Sequence, residues 1–364
     1  MKFRCEREIL AEALTTAGRA ATSRTGSLPV LSGVRLDVAD GGLTVTGTDL
    51  ELTIRLSIPV HSDQDGSAVV PARLVSDIVR ALPAGAVEVG LGDDELSISA
   101  GRSQFSVRPL SLSDYPAQPE PDAEPVTLKS TEVAEALRQV VRAASTDDAR
   151  AVLTGVLIAA EDDGLKMVAT DSYRLAVRDL PQSSMLASGQ RVLVPGRALA
   201  ELQRILSGDD ELTVRLGARE AGFEVGTTRL TTRLIEGEYP NYRNLLPSAY
   251  PNLLTVGRES LLEALRRVKI LAQDSTPVRL TLGGETLQLT AITQDVGNAA
   301  EEIDAGYDGA EMTVAFNPDY LAAGIDAVEG DEVTLATIDP MKPAVLRGVG
   351  HEDYLYLLMP VRVP

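Results

Sequence analysis

Apolar positions along the chain follow two rhythms that take turns. Spacings of three and four predict helices over 6–20, through Ile9, Leu10, Ala13, Leu14 and Ala17, over 131–144, through Val133, Leu137, Val140 and Val141, and over 258–271, through Leu261, Leu262, Leu265, Val268 and Ile270. Ser130 or Thr131, with a glutamate close behind, supplies the N-cap of the second of these. Alternation then predicts short strands, such as 34–38 and 43–46, joined at Asp40-Gly41-Gly42, whose residues tolerate positive φ. The segments 161–164 and 283–285 play the same part later. A second helix begins at a proline in each third of the chain, over 72–81, 197–206 and 318–328, where the missing N–H costs little in a first turn. Strand meanders follow, at 87–91, 96–99 and 105–107, and again at 212–216, 223–225 and 228–234. The unit reads helix, strands, helix, strands, so each copy is expected to open on a helix.

The thirds are copies of one another. Leu43-Thr44-Val45-Thr46-Gly47-Thr48-Asp49-Leu50-Glu51, the segment Met167 to Val177, and Leu287 to Asp295 share a pattern that places Thr48, Thr170 and Thr293 at steps of 122 and 123 residues. Val70-Pro71-Ala72-Arg73, Val194-Pro195-Gly196-Arg197 and Phe316-Asn317-Pro318-Asp319 keep the same step. A period far beyond the roughly 20–50 residues of solenoid units marks whole domains. Proline-rich Ser113 to Pro121 and the related Glu238-Tyr239-Pro240-Asn241-Tyr242 set boundaries that give domains 1–122, 123–250 and 251–364. The fold class is therefore α+β, three tandem copies of a helix-plus-antiparallel-sheet domain. Strands at the domain ends can pair across the boundaries into continuous sheet.

Composition narrows the setting. The sequence of 364 residues, 44% hydrophobic, can bury ample core. Cys5 is the single cysteine, which excludes a disulfide framework and any multi-cysteine metal site and fits a reducing cytoplasm. No stretch is long and apolar enough for a membrane span. A net charge of −19 argues against nucleic acid unless the basic residues are concentrated. Five of the 34 basic residues are lysines, which leaves 29 arginines, several on predicted helices.

Catalytic chemistry finds little material. His61 and His351, the two histidines, lie far apart, and no phosphate loop, Cys-x-x-Cys or dinucleotide fingerprint occurs. Carboxylates gather at Asp147-Asp148, Asp209-Asp210 and Glu301-Glu302 with Asp304, a pattern that reads first as solvated turns and second as an acid/base or divalent-cation site. Asp171, matched by Asp49, reads as a turn residue. No cofactor is expected.

The Gly47-Thr48-Asp49-Leu50-Glu51 and Ala169 to Val177 segments resemble the bacterial DNA polymerase III β subunit, the sliding clamp. So do Val70-Pro71-Ala72-Arg73, Gly101-Arg102-Ser103, Glu238-Tyr239-Pro240-Asn241-Tyr242-Arg243 and the ending Leu357-Leu358-Met359-Pro360-Val361-Arg362. The motifs occur in order over essentially the whole chain. Gln104 and Gly196 depart from the pattern and put single contacts in doubt. The resemblance implies a non-catalytic processivity factor: a head-to-tail homodimeric ring, helices inside and sheets outside, around duplex DNA. Its implied partners are the polymerase III α subunit, the clamp-loader complex and other proteins carrying a clamp-binding motif. An acidic β-rich scaffold whose repeats stack linearly, and a carboxylate-based hydrolase, are the competing readings.

The resemblance also implies sites. Sequence-independent sliding asks for spread phosphate attraction, and the candidates are Arg24, Arg73, Arg80, Arg138, Arg142, Arg150, Arg197 and Arg204, with Arg266, Arg267 and Lys269 behind them. The acidic Asp319 and Asp326 mark the second helix of the third copy as the weakest contributor. The dimer contact is expected between Arg102, Phe105 and Val107 of one protomer and Ile270, Leu271, Glu301, Glu302 and Asp304 of its partner. A pocket for partner peptides is expected from Leu153, Thr170, Ser172, Tyr173, Arg174, Leu175, Pro240, Leu245, Asn317, Tyr320, Met341, Pro343, Leu357, Met359, Pro360, Val361 and Arg362.

Overall fold

The structure, a computed structural model, describes residues 1–21, 28–117, 121–161, 164–181, 185–187, 189–206, 211–247, 249–272 and 276–362. Its helices are α1 (Arg7–Gly18), α2 (Ala72–Ala81), α3 (Ser130–Val140), α4 (Gly196–Ile205), α5 (Arg258–Lys269) and α6 (Pro318–Ala327), two per repeat and within a few residues of the periodicity-based expectation. Among the described residues the strands form antiparallel sheets of five, eight and twelve strands. Asp40 and Gly41 both take positive φ at the first hairpin, as the turn chemistry requires.

One expectation is corrected. Each repeat opens on a strand, Lys2–Glu6, Pro125–Lys129 and Asn252–Gly257, and only then enters its first helix. The first of these alternates strictly, with Phe3 and Cys5 buried and Lys2, Arg4 and Glu6 exposed. That period-two signal is present in the sequence but sits among charges that read as a frayed terminus.

The chain divides into two compact units, Met1–Thr131 with Ala200–Leu234, and Glu132–Leu199 with Ile235–Pro364, so the second repeat contributes to both. In the first unit, strand Thr228–Arg233 of the second repeat pairs with Leu52–Pro59 of the first. In the second, Arg174–Pro181 pairs with His351–Leu358 of the third repeat. Pairing across repeats therefore extends the eight- and twelve-stranded sheets beyond a single copy, while the five-stranded sheet stays within the first repeat.

The core of the first unit gathers Phe3, Leu10, Leu14, Val34, Leu36, Val45, Val87 and Ile98 beneath α1 and α2. Close approach of α1 depends on Gly47, where a Cβ would lie 1.9 Å from the Ala17 carbonyl oxygen. In the second unit Gly324 of α6 admits the Tyr356 ring, which would lie 2.4 Å from an added Cβ. The proline-rich segment after the first repeat is partly anchored, for buried Tyr115 donates its hydroxyl to the Thr46 carbonyl at 2.9 Å.

Cys5 reports on this core. Burial, aided by the neighbouring Glu6 charge, pushes its thiol up to about 11. At pH 8 the folded chain should resist a thiol-specific alkylating reagent and react only on opening. Gly47→Ala, which must displace α1 backbone, should cost about 3 kcal/mol and accelerate Cys5 labelling by about two orders of magnitude. An unchanged labelling rate would show that the helix yields to the methyl group.

Candidate functional site

Two turns with the same hydrogen bonds recur at the repeat motif. Thr48 Oγ1 accepts from Leu50 N at 3.1 Å while Asp49 Oδ1 accepts from the amides of Glu51 and Leu52 at 3.1 and 2.8 Å. Thr170 Oγ1 accepts from Ser172 N at 3.1 Å, and Asp171 Oδ1 accepts from Tyr173 and Arg174 at 2.9 and 3.0 Å. Short side chains that bond the backbone just ahead favour such turns. Leu50 and Ser172 take the strained position, with φ of 79° and 81°. Asp171 is thus a turn residue, as its match to Asp49 suggests.

In the second copy the turn also builds a surface. Asp171 Oδ2 holds Arg174 Nε at 3.0 Å, both side chains being largely buried. The guanidinium lies 4.4 Å from the Tyr320 ring centroid, and Tyr173 stacks on Tyr320 at 6.4 Å between centroids. Asn317 caps α6 by accepting from Asp319 and Tyr320 amides, which fixes Tyr320 on the first turn. Burial pushes the Tyr356 phenol up to about 12, so it keeps its proton and donates it to the Tyr320 carbonyl at 2.9 Å.

The tail completes the surface. Leu175 pairs with Leu357 across the two strands, Met359 N donates to the Tyr173 carbonyl at 2.9 Å, and Val361 N donates to Ala315 at 2.8 Å. Leu175 and Leu357 are buried, in one apolar cluster with Val177, Tyr242, Val345 and Leu355, against which Val152, Tyr239 and Leu246 pack. Leu153 is buried, Pro343 is half-buried, and Leu153 and Leu245 are the chain neighbours of Val152 and Leu246. Tyr173 is 58% exposed, and Leu245, Met341 and Met359 are exposed with it. Pro240 and Arg362 are also exposed, and Pro360 and Val361 half-buried. Exposed apolar groups over a buried apolar floor, rimmed by Arg174 and Asn317, are the makings of a peptide site. Sequence reasoning misses Val177, Leu355, Tyr242 and Leu246 as members of this floor, although the first two continue the period-two pattern of Leu175 and Leu357.

The arginine candidates divide. Arg73 and Arg80 stand at the second and ninth positions of α2, and Arg197 and Arg204 at the same positions of α4. A seven-residue step returns to the same helix face after a rise of about 10 Å. All four are exposed, with Asp77 3.9 Å from Arg73, Thr15 Oγ1 2.7 Å from Arg80 and Glu201 2.5 Å from Arg204. The same positions of α6 carry Asp319 and Asp326, which engage Lys269 and Arg142. Arg138 departs from expectation: half-buried, it is held by Glu135 and donates to the Asp326 and Ala327 carbonyls at the end of α6. There it caps a helix C-terminus. Arg150 likewise bonds Asp147, the Asp171 carbonyl and Ser172 Oγ. Arg266 is exposed, and Arg24 lies outside the described residues.

The expected dimer residues mark two open edges. Among the described residues Ser103–Val107 is the last strand of its sheet, bonded on one side only, with Arg102 and Phe105 exposed. Val107 departs from expectation, being buried in the core of the first unit. In Gly297–Asp308, residues 297–304 pair with 286–293, and only 305–308 pair onward with Leu253 to Val256. Residues 297–304 therefore have one free edge among the described residues. Ile270 beside it is 77% exposed, Leu271 is half-buried, and Glu302 and Asp304 are exposed. Glu301 is already engaged by Arg267, which holds its carboxyl below the usual range.

Family models for the DNA polymerase III beta subunit match the chain in succession: the N-terminal domain over residues 1–119, the central domain over 127–241 and the C-terminal domain over 243–362. A beta sliding clamp from Streptomyces coelicolor is 35% identical over the full length of both chains, and one from Staphylococcus aureus is 30% identical over 100% of this chain and 99% of that one. The fold superposes on the crystal structure of the DNA polymerase sliding clamp from Bacillus subtilis with a TM-score of 0.91 at 28% identity, covering 100% of both chains. For the sliding clamp of Bartonella birtlesii bound to griselimycin the TM-score is 0.92 at 29% identity, again with 100% coverage of both.

The turn that carries the surface can be tested. Asp171→Ala removes the side-chain acceptor of two backbone amides and leaves a largely buried guanidinium without its carboxylate, which should cost about 3 kcal/mol in urea unfolding. Asp171→Asn keeps an acceptor for both amides and should cost clearly less. Equal costs would show that the two amide bonds contribute nothing and that the loss comes from the Arg174 pair.

Proposed function

The chain belongs to the DNA polymerase III beta subunit family and works as a sliding clamp in DNA replication, and from that premise we propose how it does so. Two copies meet head to tail in a ring of six similar domains, 1–122, 123–250 and 251–364 in each, around duplex DNA. The observation that supports this most directly is the succession of three clamp domains along one chain, with a one-sided strand edge and exposed apolar groups in the first and third. A heterologous contact closes into a ring when its rotation divides the circle. Pairing the edge at Phe105 of one protomer with residues 297–304 of its partner satisfies two rows of backbone groups and covers Phe105 and Ile270 together.

The ring holds DNA by position and by diffuse charge. The repeated arginine pairs of α2 and α4, Arg73 with Arg80 and Arg197 with Arg204, meet phosphate, while α6 contributes least because its acids are paired within the chain. Binding of this kind reads no sequence. The clamp performs no catalysis and works in the cytoplasm. Partners, including the polymerase α subunit, the clamp-loader complex and other motif-bearing proteins, dock a short peptide on the surface around Tyr173, Arg174, Leu245, Met341 and Met359.

Encirclement predicts that the loaded protein stays on closed circular duplex and runs off linear duplex. Changing Arg73 and Arg197 to glutamate should weaken loading and reduce the slope of log affinity against log salt by about 0.9 for each phosphate no longer neutralised. Equal retention on circles and lines would overturn the ring, and an unchanged slope would remove these side chains from the channel. For the pocket, deleting residues 359 to 364 should abolish binding of a labelled glutamine- and leucine-containing peptide from a replicative polymerase tail in fluorescence anisotropy, with dimer and encirclement intact. Equal affinity for truncated and full-length protein would refute the assignment.

A further inference from the structure

The apolar stripe beneath the peptide surface does not end there. Leu175 and Leu357 face each other in register, and so do Val177 and Leu355, two residues further along the same pair of strands. Alternation puts all four on one face of the sheet, the second pair about 7 Å from the first. At that second pair the face opens into a groove of about 290 Å³, walled by Tyr242 and Leu246 and rimmed by Lys166, Arg243, Arg347 and three acids. Leu246 lines this groove, and its chain neighbour Leu245 is exposed.

Size and charge say what would occupy the groove. Self-sufficient small-molecule sites run to roughly 300–1,000 Å³, so this one suits a side chain or two of something anchored elsewhere. Most of its rim charges are spent. Lys166 holds Asp179 at 2.7 Å, Arg243 holds Glu161 at 2.5 Å and Arg178 holds Asp353 at 2.6 Å. Glu352 is exposed. Arg347 donates to the Glu352 backbone carbonyl at 3.1 Å and meets no carboxylate among the described residues, so most of its donors remain open. An extended peptide advances its alternate side chains by about the same 7 Å.

We propose that this groove is a further subsite of the partner-peptide pocket, taking an apolar residue two positions beyond the anchor seated beside Leu245 and Met359, with an adjacent carboxylate of the peptide on Arg347. The assignment rests on the peptide-pocket reading and explains how partners sharing one anchor would be ranked by their flanks. Anisotropy on the full-length protein tests it with three labelled peptides: the parent, and two extended by Leu-Asp, one at each end. One extended peptide should bind about tenfold more tightly than the parent. That gain should shrink to the leucine's share, about threefold, when its aspartate is replaced by asparagine, and shrink equally in Arg347→Gln, while the parent binds both proteins alike. Neither extension gaining, or a gain that survives undiminished in Arg347→Gln, overturns the subsite. A parent peptide that fails to bind the wild-type protein overturns the underlying pocket instead, so the two failures are distinct.

Discussion

Strand pairing between repeats is the interaction on which the rest depends. An isolated copy would present unpaired N–H and C=O groups at each end of its sheet, a liability that proteins must cover. Here Leu52–Pro59 is covered by Thr228–Arg233, and Arg174–Pro181 by His351–Leu358. The second repeat gives one strand to each neighbour, which is why it contributes to both compact units. Edges left over then acquire meaning. Those at Ser103–Val107 and at residues 297–304 are long enough to pair, and each lies near an exposed apolar side chain, Phe105 or Ile270.

The same pairing produces two comparable corners, and their side chains make only one of them sticky. After the cross-repeat strand, Arg233 N donates to the Glu51 carbonyl at 3.0 Å, as Met359 N donates to Tyr173 at 2.9 Å. Backbone geometry is repeated, but Thr231, Thr232, Arg233, Leu50 and Glu51 stand where the other corner has Leu357, Leu358, Met359, Ser172 and Tyr173. A hydrophilic corner offers little apolar area to a ligand, whereas the aromatic and thioether corner offers rigid rings and an adaptable sulfur side chain. The two corners thus share one backbone scaffold and differ in a few side chains, on which the proposed recognition rests.

How much of this is legible in the sequence follows from the range of the interactions. Helices and most strands depend on local periodicity, and the expected second-helix span 72–81 coincides with α2. The Thr170-Asp171 turn is legible because its bonds reach only two or three residues ahead. The opening strand is lost among terminal charges. Arg138 escapes a sequence reading because its partners, the Asp326 and Ala327 carbonyls, lie nearly 190 residues away and belong to the backbone, which carries no sequence signature. Val107 escapes it for a related reason: alternation shows that side chains on a strand face opposite ways, but only the assembled sheet says which way is in. The floor of the groove at Val177 and Leu355 needs the register between two strands that are distant in sequence.

Charge ties the two functional surfaces together. A chain at −19 repels a polyanion over most of its area, so whatever attraction remains must be concentrated. The helices show how concentration is achieved without a basic protein. At the second and ninth positions of α2 and α4 arginines are exposed, while at those positions of α6 the side chains are acids whose charge is consumed by Lys269 and Arg142. An acid neutralised within the chain neither attracts nor strongly repels phosphate. On the proposed reading, attraction from these arginines is patchy and free of base readout, which is the condition for holding a duplex without stopping on it.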